Sequence, residues 1–131
     1  MLDRIDLHVE VTPVNFDELT EKRNGESSEI IRERVLVARQ IQMERFKESE
    51  GTYSNSMMSS KQLREICKVD QVSSNLLKVA MEKLKLSARA YDRILKVART
   101  VADLGGSETI QPEHIAEAIT FRSLDRENWA G

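Results

Sequence analysis

A chain of 131 residues with 40% hydrophobic and 32% charged residues, five Gly, two Pro and a net charge of −2 holds one modest core. That balance describes a helical protein rather than a β-sandwich or a disordered tail, and no apolar run approaches membrane-spanning length. Asp3, Arg4 and Asp6 stand where a secretory signal would need apolar residues, and the single Cys67 has no partner for a disulfide or a metal pair, so a cytoplasmic location is expected.

The first eleven residues alternate, with Ile5, Leu7, Val9 and Val11 on one side and Asp6, His8 and Glu10 on the other. This predicts a half-buried strand that stops at Thr12 and Pro13. A lone strand cannot bury its apolar row, so the expectation is that residues 1–14 are the terminal strand of an upstream core. Residues 15–58 read as a connecting segment. It holds one helical turn at 16–19, a loop through 22–25, and a long helix over 28–48 whose buried stripe would be Ile31, Val35, Ala38 and Ile41. Residues 50–56, rich in Gly, Ser and Asn, read as a loop or hinge.

Residues 59–131 read as a four-helix bundle with a polar tail from Ser123. The first helix is capped by Ser59 with Gln62 as its capping-box partner, and carries Leu63, Ile66 and Cys67. The second starts near Asp70 and sets Leu77, Ala80, Met81 and Leu84 on one face. The third starts at Ser87, carries Tyr91, Ile94, Leu95, Ala98 and Ala102, and ends at Gly105-Gly106. The fourth opens with Pro112 and carries Ile115, Ala118 and Ile119.

Charge is segregated: residues 51–100 carry ten Lys or Arg against four Asp or Glu, and residues 78–99 alone hold seven cations against two anions. Polyphosphate, nucleic acid or an acidic neighbouring subunit would suit this stretch, and a solvated helix face would also produce it. Arg89 stands apart. It sits at a helix start behind Ser87, where a guanidinium beside free backbone N–H groups suits a phosphate.

Four stretches together resemble the C-terminal part of the magnesium-chelatase-like AAA+ ATPases of the ComM/YifB type. They are Leu2-Asp3-Arg4-Ile5-Asp6-Leu7-His8-Val9-Glu10-Val11, the run at 86–100, Thr109-Ile110-Gln111-Pro112-Glu113-His114-Ile115-Ala116-Glu117-Ala118-Ile119, and Phe121-Arg122-Ser123-Leu124-Asp125-Arg126. The resemblance implies a mainly α fold: a small four-helix AAA+ lid-type bundle, preceded by a long connecting helix and by one N-terminal β-strand left from the AAA+ core. It implies that Arg4 is an arginine finger oriented by Asp3 and Asp6, and that Arg89, in Ser87-Ala88-Arg89, is the sensor-2 arginine. Arg93 is a weaker phosphate candidate and more naturally the salt-bridge partner of an acidic lid residue. For a complete protein it implies ATP and Mg2+ as cofactors, a homo-hexameric ring, and work on DNA in branch migration, recombination or transformation.

No G-x-x-x-x-G-K-[ST] phosphate loop and no apolar strand ending in paired acids occurs in these 131 residues, so the chain by itself is expected neither to bind ATP tightly nor to hydrolyse it. Its expected partners are the AAA+ core, neighbouring subunits and DNA, with no membrane. His8 and His114 have no second ligand at metal spacing, so surface or capping roles are expected and no metal site is assigned. Cys67 reads as a packed thiol, and Met57 and Met58 as fillers of gaps. The alternative is a stand-alone helical DNA-binding or adaptor bundle that uses the surface at 78–99 on phosphates.

Overall fold

The computed structural model describes residues 5–9, 11, 13 and 25–122. The helical turn expected at 16–19, the loop at 22–24 and the polar tail from Ser123 lie outside those residues. Five α-helices follow one another: α1 (Ser28–Arg45), α2 (Ser60–Ile66), α3 (Gln71–Leu84), α4 (Ala88–Leu104) and α5 (Pro112–Thr120), with a 3₁₀ turn at Asn55–Met57 between α1 and α2. The fold is mainly α, and among the described residues no strand occurs.

Local chemistry sets the helix ends. Ser59 and Gln62 form the expected capping box, Gln62 N donating to Ser59 Oγ at 3.2 Å and Ser59 N donating to Gln62 Oε1 at 2.9 Å. Asp70 caps α3 by accepting from Ser73 N at 2.7 Å, which lowers the Asp70 pKa. At the other end of α3, Lys85 takes a left-handed conformation (φ 49°), and Leu86 N donates back to Met81 O at 3.2 Å. Gly106 (φ 70°) does the same after α4, where Ser107 N donates to Ala102 O.

The centre of the bundle is α4, against which α1, the 3₁₀ turn, α2 and α5 all pack, while α3 lies on α5. Its inward face is Ala90, Ile94, Leu95, Ala98 and Ala102, all buried; Tyr91, expected on that face, lies at its edge and is exposed. Around it close Phe46, Met58, Leu63, Cys67, Leu77, Ile110, Ile115 and Ala118. Met58 fills the core as expected, but Met57 is exposed. Small residues on α4 let its neighbours approach closely, so large side chains from those elements fill the space.

Two elements depart from the pattern in the sequence. Helix α1 ends at Arg45, and its expected stripe is half wrong: Ala38 is buried, but Ile31 and Val35 are exposed, together with Ile30, Leu36, Val37 and Met43. The reason is that burial is confined to the C-terminal part of α1. Only its last turns touch the bundle, through Ala38, Gln42 and the following Phe46, so periodicity in the first turns has no core to face.

The second departure is the N-terminal segment. Residues 5–9 run without regular secondary structure, with His8 N–H donating to Phe121 O at 2.8 Å. That bond turns His8 inward, where it is buried, and the two-residue period then sends Leu7 and Val9 outward. Asp6 and His8 thus turn toward the bundle, and the apolar row, Ile5, Leu7, Val9 and Val11, is left exposed, as a row expected to pack on an upstream core would be.

Candidate functional site

Helix α4 carries the charged groups of interest, and its two ends differ. At the N-terminal end Ser87 Oγ accepts from Ala90 N at 3.2 Å, and Tyr91 N donates to Ser87 O at 3.1 Å. The amides of Ala88 and Arg89 are left with no intrahelical acceptor. The Arg89 side chain is exposed and makes no hydrogen bond or ion pair among the described residues. An unpaired guanidinium and two open amides, at the positive end of a 17-residue helix dipole, form an environment that favours an anion.

One turn further, Arg93 is not open. Its guanidinium pairs with the carboxylate of Asp6, so the acidic partner comes from the N-terminal segment and not from the lid helices. Arg4, the other arginine singled out by the sequence, lies with Asp3 outside the described residues.

The C-terminal end of α4 is closed by a buried polar network. Asp103 Oδ1 and Oδ2 accept from Arg45 Nη2 at 2.6 Å and Nη1 at 2.8 Å, and Arg99 Nε donates to Oδ1 at 3.2 Å. Asn55 Nδ2 reaches Asp103 Oδ2 at 2.9 Å and Thr100 Oγ1 at 3.0 Å, while Asn55 N donates to Gln42 Oε1. Arg99, 3% exposed, also donates to the carbonyls of Ser107 and Glu108. Burial alone would push the Asp103 carboxyl up, but hydrogen bonds from Arg45 and Asn55 and the charges of Arg45 and Arg99 outweigh it and hold the group below the usual carboxylate range. Sequence reasoning missed this network. One signal was available, because Leu95, Arg99 and Asp103 share a face at four-residue spacing, placing two opposite charges in line with a core leucine.

The basic stretch at 78–99 is thereby divided. Arg99 is structural, Lys96 Nζ donates to Ser56 O at 3.1 Å and Arg93 is paired, whereas Lys78, Lys83, Lys85 and Arg89 are exposed along α3 and at its junction with α4. The loop at 50–56 is not a free hinge, since Thr52 and Asn55 are buried. Cys67 is buried in the core and burial pushes its thiol up to about 11, which suits packing and not nucleophilic chemistry. His114 Nδ1 accepts from Gln111 N at 2.9 Å, a capping role at the start of α5. Among the described residues no group of three or more His, Cys, Asp or Glu side chains is placed to hold a metal ion. No helix among them is long and apolar enough to cross a membrane.

A mainly α bundle built on one central helix, with a cation exposed at that helix's N-terminus, is the architecture of a C-terminal lid domain. The chain belongs to the family described as magnesium chelatase, subunit ChlI C-terminal, which it matches over residues 25–122. It is 42% identical over 126 residues to competence protein ComM of Haemophilus influenzae and 36% identical over 127 residues to the protein YifB of Escherichia coli. Each match covers 95% of this chain and 24% of the relative, so the chain spans about a quarter of the length of those relatives. A Mycobacterium bovis protein designated Mb2921c is 31% identical over 93% of the chain and 24% of its own length.

Proposed function

We propose that this chain is the lid portion of an AAA+ ATPase, contributing Arg89 as the sensor-2 arginine and Arg4 as the arginine finger to ATP sites of a homo-hexameric motor that acts on DNA. The observation that carries the reading is Arg89: an exposed guanidinium with no partner among the described residues, beside open amides at the start of the central helix. Family membership supports the ATPase class, and the name of the competence protein supports a role in competence.

The chemistry explains why arginine stands there. Phosphoryl transfer spreads negative charge over the transferring oxygens, and forked hydrogen bonds from a fixed guanidinium stabilise that charge as it develops. ATP supplies the phosphoryl group when bound. Arg89 meets its phosphates, and the rigid α4 passes the resulting pull to the core at Ile94, Leu95 and Ala98. In this reading the magnesium ligands belong to the AAA+ core, to which the outward row Ile5, Leu7, Val9 and Val11 offers an apolar face. In this reading residues 1–14 complete the core, 15–58 connect, and 59–131 form the lid, in the cytoplasm.

The alternative of a stand-alone DNA-binding bundle needs the whole stretch at 78–99 on the surface. Burial of Arg99 and the bond from Lys96 to Ser56 remove two of its seven cations from a phosphate face. The two readings separate on ATP turnover by the full-length protein. Arg89→Ala and Arg4→Ala should each reduce it at least a hundredfold while the melting temperature stays put, and wild-type turnover in either variant removes that arginine from the site.

A further inference from the structure

Helix α1 carries two unlike faces that the bundle leaves uncovered. Residues 28–37 include no buried side chain, although a helix in a folded protein draws most of its stability from packing an apolar face. Arg32, Val35, Arg39 and Met43 fall at i, i+3, i+7 and i+11 and form one stripe, apolar and basic. Ile30, Glu33 and Val37 repeat that spacing two residues earlier, about 200° around the helix, and form a second stripe, apolar and acidic. All of these side chains are exposed. Arg34, beside the acidic stripe, is already paired with Glu26, whereas Arg32, Arg39 and Glu33 make no hydrogen bond or ion pair among the described residues.

The basic stripe opens into a groove. Val35, Arg39 and Met43 line a cleft of about 380 Å3 together with Tyr53 of the loop and Leu104 of α4. Tyr53 is 70% exposed, Leu104 is half-exposed, and Arg39 is the one charged residue among those that line the cleft. An apolar trough with a single guanidinium matches an apolar helix edge that carries a carboxylate, and the acidic stripe of α1 is such an edge. A nucleic acid strand would call for a far more positive surface. Like stripes cannot pair well, since arginine would face arginine or Glu33 would face Glu33, whereas unlike stripes are complementary in charge. We propose that α1 of one copy lays Ile30, Glu33 and Val37 into the groove of the next copy, where Glu33 meets Arg39. Each copy gives one stripe and receives the other, so the contact is head-to-tail, the kind that closes into a ring when the rotation between copies allows. This rests on the homo-oligomeric assembly proposed above and gives it a surface.

The test is cross-linking of the full-length protein with a short bismaleimide. Glu33→Cys and Arg39→Cys replace exposed side chains without partners among the described residues, so neither should disturb the fold, and the buried Cys67 reacts slowly. The two single variants, co-expressed, should give a cross-linked dimer in a yield about tenfold or more above either variant alone. The double variant should give a ladder of three subunits and more on a denaturing gel. Val37→Asp, added to the Glu33→Cys chain, sets a charge into the apolar trough and should cut the mixed dimer about tenfold or more. A mixture that links no better than the single variants overturns the contact, and so does a ladder that stops at two, which would mean pairing of like faces. Loss of the link on adding single-stranded DNA would hand the groove to nucleic acid and overturn it as well. Sedimentation of the wild type separates the two readings: a monomer removes the ring assembly and the contact with it, whereas an oligomer without the link overturns only the contact.

Discussion

Arg45, the last residue of α1, holds Asp103 near the end of α4 through two hydrogen bonds of 2.6 and 2.8 Å, and this grip joins the long helix to the centre of the bundle. The Asp103 side chain is fully buried, and the same carboxylate receives Arg99 and Asn55. One acid therefore organises α1, the 3₁₀ turn and α4 around itself.

Replacing Asp103 with Asn should leave the buried Arg99 guanidinium without its counter-charge. A loss of about 3–5 kcal/mol is expected, since breaking a buried pair from one side leaves an uncompensated charge. Urea unfolding of the variant against wild type checks it, and a loss under 1 kcal/mol would show that Ser107 and Glu108 carbonyls satisfy Arg99 alone.

The same acid sets an acid limit on stability. Its folded pKa lies below the unfolded value of about 3.9, so its contribution is complete above that value and declines as the pH falls below about 4 and through the lower folded pKa. Unfolding free energies measured between pH 5 and pH 2.5 should fall more steeply for wild type than for Asp103→Asn.

Cys67, with its thiol pushed up to about 11, carries almost no thiolate at pH 8. Its reaction with a thiol reagent should be at least about a hundredfold slower in the folded chain than in denaturant. Equal rates would place the residue outside the core.

Core and surface positions on apolar stripes should separate cleanly. Ile94→Ala and Ile115→Ala, both at fully buried sites, are expected to cost about 2–5 kcal/mol. Val37→Ala on the outer face of α1 should change stability by less than about 0.5 kcal/mol, although the sequence presents all three as apolar helix residues. Chemical denaturation of the three variants reads this directly.

Much of the bundle was legible in the sequence because its signals are local. Ser59 with Gln62, Asp70, Ser87, Gly105-Gly106 and Pro112 mark helix ends through side-chain and backbone chemistry that acts within four residues, and the structure places the ends there. The exposed Arg89 followed from the same kind of signal, a cap immediately before it. The stripes of α3 and α5 also held, as did that of α4 except at Tyr91, since each has neighbours on its apolar side.

What the sequence could not hold was the pairing of distant residues. The partner of Arg93 is Asp6, and the partner of Arg45 is Asp103; periodicity and capping are silent on contacts that depend on how separate segments meet. The same limit explains α1, whose stripe has the period of a buried face although Ile31 and Val35 stay largely exposed. Helix boundaries and faces were thus determined by the sequence through short-range hydrogen bonding and residue spacing. Which of those faces is covered, and which charges are neutralised, was decided only by the tertiary structure, because burial depends on what else arrives at the same place.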